Sequence, residues 1–149
     1  MPAANIHAMP ADTRGAEEIA AASPEQTDAV LAEAAAEYQR ELIEQLGENP
    51  ALDIAMFGMG PDAHFASLFP DHGEAEIDDP HVLVAGVRDS PKPPPLRLTL
   101  TVPMIARSKH TWCSPPKSVR PARSRRLRPA QQPACPKLLR RWRGTALAH

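Results

Sequence analysis

An apolar run that breaks into a glycine turn constrains this chain more than any other feature. Leu52 to Phe57 is nearly continuous in apolar character, which predicts a strand buried on both faces of a parallel sheet. Gly58 and Gly60 follow in a Gly-x-Gly turn that lets backbone approach a ligand closely, and Asp62 and His64 come directly after. Ala63 to Leu68 then reads as the start of a helix, halted by Pro70. A strand, glycines, a carboxylate, an imidazole and a helix in that order is how open α/β sheets build sites at strand carboxyl ends. The order points to enzyme chemistry on a small polar substrate.

The rest of the pattern is also α/β. Ser23 is placed as an N-cap, with Pro24 at the first helical position and Gln26 completing a capping box. Leu31, Ala35, Tyr38, Leu42 and Leu46 recur at helical spacing, and Gly47 supplies a stop. The acids Glu33, Glu37, Glu41, Glu44 and Glu48 mark a solvated face. Residues 1–22 read as loop with a short helix. His81 to Val87 and Arg97 to Thr101 read as strands, Asp89 to Pro95 as a proline-stiffened loop, and Val102 to Ala106 as the start of a helix.

Charge divides the 149 residues sharply. All 18 acids lie at or before Asp89, opposed there only by Arg14, Arg40 and Arg88, a net charge of −15. From Ser90 onward there are 14 Lys and Arg and no acid. After Trp112 periodicity fails and Arg, Pro and Ser dominate, so 113–149 is expected to be a disordered basic extension or a frame-shifted end. Arg clusters there suit phosphates, but aromatics are not interleaved among them; solvated disorder is favoured over nucleic-acid binding. Cys113 and Cys135 have no metal-like spacing. No apolar run approaches the ~20 residues of a membrane helix and no signal pattern opens the chain, so a cytoplasmic protein is expected.

The run from Phe57 to Pro70, F-G-M-G-P-D-A-H-F-A-S-L-F-P, resembles the signature of the 6-phosphogluconolactonases. Asn5-Ile6-His7-Ala8-Met9-Pro10 upstream and Asp89-Ser90-Pro91-Lys92-Pro93-Pro94-Pro95-Leu96-Arg97-Leu98-Thr99 downstream fit the same family in order and approximate spacing. The resemblance spans roughly residues 1–112 and implies part of a Rossmann-like, three-layer fold of the phosphosugar isomerase/lactonase type. It also implies hydrolysis of 6-phospho-D-glucono-1,5-lactone to 6-phosphogluconate. Family members usually carry further strands before the Asn-x-His segment and a hydrophobic strand, turn and long helix after Trp112, and neither pattern is present in this sequence. The sibling activity, glucosamine-6-phosphate deamination, uses a similar element that continues toward A-F-N-E-P; Ala66-Ser67-Leu68-Phe69-Pro70 favours the lactonase.

Residue chemistry agrees with that expectation. An imidazole, with its ordinary pKa near ~6.5, can take a proton from water, which suits His64 as general base. Asp62 is expected to orient the ring, with helix N-cap as a competing role. A helix beginning near Ala63 would offer backbone N–H groups to the oxyanion. Lys92 and Arg97 are the phosphate candidates, and Gly58 and Gly60 the backbone approach. The reaction needs neither metal nor organic cofactor. Taken alone, His64 would read as a satisfied structural histidine, Ser67 as a packing hydroxyl, and Lys92 and Arg97 as solvated charges. His7, His72, His81 and His110 read as structural or exposed. Ala63 stands where the family usually has glycine, and Phe65 where a small residue is common, so both are expected to strain or crowd the turn. Missing neighbours for the buried strand would leave apolar surface and promote non-specific self-association, and an inactive truncated fragment is the alternative reading to the lactonase.

Overall fold

The structure, a computed structural model, describes residues 2–114. The basic segment 115–149, with Cys135, lies outside the described residues. Along the chain come α1 (Ala16–Ala21), α2 (Pro24–Leu46), β1 (Ile54–Gly58), β2 (Val84–Val87), β3 (Arg97–Leu100), α3 (Val102–Ala106) and β4 (His110–Ser114). β1 pairs parallel with β4, and β2 pairs antiparallel with β3. The architecture is α/β, with the Rossmann-like arrangement present in part.

α2 forms where local chemistry dictates. Gln26 N–H donates to the Ser23 hydroxyl at 3.2 Å, and Ser23 N–H donates to the Gln26 side-chain oxygen at 2.9 Å, closing the capping box. Gly47 ends the helix with φ 88°, a left-handed conformation that costs glycine little. Of the expected stripe, Leu31, Ala35, Tyr38 and Leu42 are buried, while Leu46 stays exposed in the last turn. The stripe packs on β2 and β3, sharing a core with Leu83, Val84 and Met104. Gly86 sets the helix–sheet distance, because a Cβ there would lie 2.6 Å from the Leu31 Cβ. The Tyr38 hydroxyl donates to the His7 carbonyl and His7 Nδ1 lies 2.8 Å from Glu41, so the N-terminal segment is latched to the helix.

Three local expectations are corrected. Ala63 to Leu68 is not helical: Ala63 (φ 67°) and Ala66 (φ 51°) are left-handed, and Phe65 bridges Met59 and Leu68 in isolated antiparallel pairs. Local helix propensity loses here to non-local pairing. The strand expected from Leu52 is covered on one side only, with Ala55 buried while Ile54 and Met56 are exposed. Its partner β4 runs through Trp112, Cys113 and Ser114, beyond the point where sequence periodicity fails. Among the described residues no helix is long and apolar enough to cross a membrane.

Candidate functional site

The segment after β1 turns back on itself rather than continuing into a helix. Gly60 N–H donates to the His64 carbonyl at 2.8 Å and Ala63 N–H donates to the Gly60 carbonyl at 3.0 Å. The tight turn folds His64 over Gly60. A Cβ on Gly60 would collide with the His64 ring and the Asp62 carboxylate, so glycine is required there for the motif's own side chains to close up. Gly58 is different: a Cβ would meet nothing within 4 Å.

Closure brings His64 Nδ1 to 2.6 Å from Asp62 Oδ1. The same carboxylate receives the Lys92 ammonium, with Nζ 3.2 Å from each oxygen. Burial pushes the Asp62 carboxyl up, but hydrogen bonds from His64, Lys92 and the backbone outweigh it and hold the group down at about 2, from an ordinary 3.8. Asp62 is therefore an acceptor-only carboxylate at neutral pH. A neutral His64 must then carry its proton on Nδ1, which leaves the Nε2 lone pair free. The N-cap role for Asp62 falls with the absent helix.

His64 is largely buried on its other side, its ring 4.7 Å from that of Phe69, which itself neighbours the His72 ring. Phe65 does not crowd this face. It points to the Phe57 ring, 5.7 Å away, and joins the core of Leu68, Val102 and Ile105. Ala63 does occupy the left-handed conformation that a family glycine would adopt at less cost.

Lys92 and Arg97 have separate surroundings. Lys92 faces Asp62, whereas the Arg97 guanidinium is engaged by its own loop: Nε donates to the Pro94 carbonyl, and Nη2 to the carbonyls of Lys92 and Pro93. The helix-terminus contribution to an oxyanion has no counterpart, since no helix starts at Ala63. Sequence reasoning also missed Thr99. Its hydroxyl, almost fully buried, accepts from the Ser67 N–H at 3.2 Å and ties the motif to β3. Two hydroxyls at alternate positions of an otherwise apolar stretch, Thr99 and Thr101, were the available signal. Among the described residues no group of three His, Cys, Asp or Glu is placed to hold a metal.

Comparisons with known proteins place the chain in a family. The family described as glucosamine-6-phosphate isomerases/6-phosphogluconolactonase matches residues 1–116. The 6-phosphogluconolactonase of Streptomyces coelicolor is 36% identical over 111 residues, covering 72% of this chain and 42% of that protein. The Mycobacterium tuberculosis enzyme of the same name is 51% identical over 63 residues, 42% of this chain and 25% of the relative. Among solved structures, 6-phosphogluconolactonase from Trypanosoma brucei superposes with a TM-score of 0.53 at 27% identity, covering 64% of this chain and 41% of that one. The chain thus spans less than half the length of these relatives. With a family match over most of its residues and the Asp62–His64 turn in place, it belongs to the glucosamine-6-phosphate isomerase/6-phosphogluconolactonase family.

Proposed function

We propose that the chain carries lactonase chemistry, the hydrolysis of 6-phospho-D-glucono-1,5-lactone to 6-phosphogluconate in the oxidative pentose phosphate pathway. The observation that supports it most is the shared Asp62 carboxylate, 2.6 Å from His64 Nδ1 and 3.2 Å from Lys92 Nζ. His64 Nε2 takes a proton from water as the water oxygen adds to the lactone carbonyl. Asp62 fixes the tautomer and offsets the imidazolium charge. The tetrahedral intermediate collapses with cleavage of the ring C–O bond, and the imidazolium returns its proton to the departing ring oxygen. Lys92 is the cation available to the substrate's phosphate, and the open flank of Gly58 and the turn at Gly60 are where substrate approaches backbone. No metal or organic cofactor is assigned a step, and the reaction belongs in the cytoplasm.

Lactone hydrolysis by the full chain and by His64→Ala tests this. Loss of a general base lowers the rate by roughly 10²–10⁴-fold; equal rates would remove His64 from the mechanism. Release of ammonia from glucosamine 6-phosphate would instead assign the sibling deaminase activity.

A further inference from the structure

The proline loop presents a hydrogen-bonding problem that Arg97 solves. Pro91, Pro93, Pro94 and Pro95 have carbonyls but no N–H groups, so the segment has many backbone acceptors and few backbone donors. Ser90 answers part of the deficit: its N–H donates to the Pro95 carbonyl at 2.9 Å and its hydroxyl to the Lys92 carbonyl at 2.9 Å. Arg97 answers more of it, with Nε 2.9 Å from the Pro94 carbonyl and Nη2 2.9 Å and 2.7 Å from those of Lys92 and Pro93. A planar fork can serve several acceptors in fixed directions, which a lysine ammonium on a flexible stem does not. The Lys92 carbonyl is held from two sides, by Ser90 and Arg97, and the Lys92 side chain leaves that fixed point to reach Asp62.

Arg97 also borders an open hollow of ≈ 740 Å³, whose only other charged wall residue among the described residues is Asp12. Met9, Ile19 and the prolines contribute much of the remaining lining. Asp12 is paired with Arg14 at 2.7 Å and adds no cation to this largely apolar wall. The Arg97 fork is already engaged by carbonyls, so the hollow is a poor surrounding for a phosphate dianion.

We propose that Arg97 is a positioning residue that acts on Asp62 and His64 through Lys92, by tying down the carbonyls of the proline loop, and is not a ligand of the substrate's phosphate. The inference rests on the lactonase reading for its functional meaning, but its test does not require turnover. The Asp62 carboxyl is titrated by carbon NMR in the full chain, in Arg97→Ala, in Lys92→Ala and in the double variant. Loosening the loop withdraws Lys92, so in Arg97→Ala the Asp62 midpoint rises from about 2 toward the ordinary 3.8. The double variant matches Lys92→Ala, because the two changes act on one link. A midpoint that stays at about 2 in Arg97→Ala overturns the proposal, as does a further rise in the double variant.

Arg97→Lys keeps the charge and removes the fork, and it carries the test if the alanine variant does not fold. A raised midpoint supports positioning, and an unchanged one overturns it. If neither variant folds, inorganic phosphate is titrated into the unaltered chain. A Lys92 ammonium signal that moves while the Arg97 Nε–H signal stays supports positioning; both moving on one saturation curve overturns it. Absent lactone hydrolysis with a raised Asp62 midpoint would sink the lactonase reading and leave the positioning role intact. Hydrolysis with an unmoved midpoint would do the reverse.

Discussion

The two strand pairs of this molecule are covered to very different degrees. The antiparallel pair β2–β3 lies under α2, and Val84 and Val87 are 4% and 0% exposed. In the parallel pair β1–β4, Ile54, Met56 and Trp112 are 63%, 73% and 68% exposed, with Met56 and Trp112 directly opposite each other in register. Parallel strands normally have both faces covered, and their near-continuous apolar sequence reflects it. The difference teaches that apolarity in a strand records where it is suited to be buried, not how much cover the described residues provide. The turn that carries Asp62 and His64 grows from the end of the less covered pair, while Lys92 arrives from the loop that joins the two strands of the better covered one.

Paired truncations test that contrast most severely. Met104→Ala, in the fully buried core beside α2, should cost about 2–5 kcal/mol by chemical denaturation. Met56→Ala on the open face should stay within about 0.5 kcal/mol. Equal costs would mean that β1 is covered in solution. We infer from the same face that the chain self-associates non-specifically. Met56→Thr with Trp112→Ser should then shift sedimentation toward monomer without lowering stability, and an unchanged profile would place the sticky surface elsewhere.

A smaller effect is expected inside the turn itself. Ala63 holds φ 67°, where an L side chain is strained and glycine is not. Ala63→Gly should stabilise the fold by roughly 0.5–1 kcal/mol, the relief of strain being partly offset by the greater chain entropy of glycine when unfolded. A destabilised variant would show that the turn is not strained.

What was legible in the sequence follows the range of the forces involved. α2 could be read to the residue at both ends, because Ser23, Gln26 and Gly47 act within one helical turn. α3 was readable for the same reason, with Thr101 accepting from Met104 N–H and Pro103 in the first turn. The stretch 63–68 was misread as helix because its backbone is set by partners far away: Thr99 takes the Ser67 N–H across 32 residues. β4 was unreadable as a strand past Trp112, since pairing with β1 rather than its own composition organises it. His64, Asp62 and Lys92 were identifiable as residues, but the sharing of one carboxylate by two chain segments was not. The Arg97 fork escaped notice because the prolines that create the need for it were read only as stiffeners.

Asp62 is where the two regions meet, and acid should separate them last. Its carboxyl is held at about 2, below the ordinary 3.8, by His64 and Lys92 against the opposing effect of burial. A depressed folded-state value means that the link contributes in full above the ordinary value and is lost as pH falls through about 2. The stability difference between the unaltered chain and Asp62→Asn should therefore persist down to about pH 4, then shrink toward pH 2. Because Asp62 and Lys92 are each more than a third exposed, screening keeps that difference small, within about 1 kcal/mol, and added salt should reduce it further. Denaturation curves collected across that range check both statements. A difference that disappears near pH 4 would show that His64 and Lys92 do not hold the Asp62 carboxylate in solution, and the two halves of the site would then be joined by contacts such as the Ser67 N–H on the Thr99 hydroxyl and the shared core of Leu68, Val102 and Ile105.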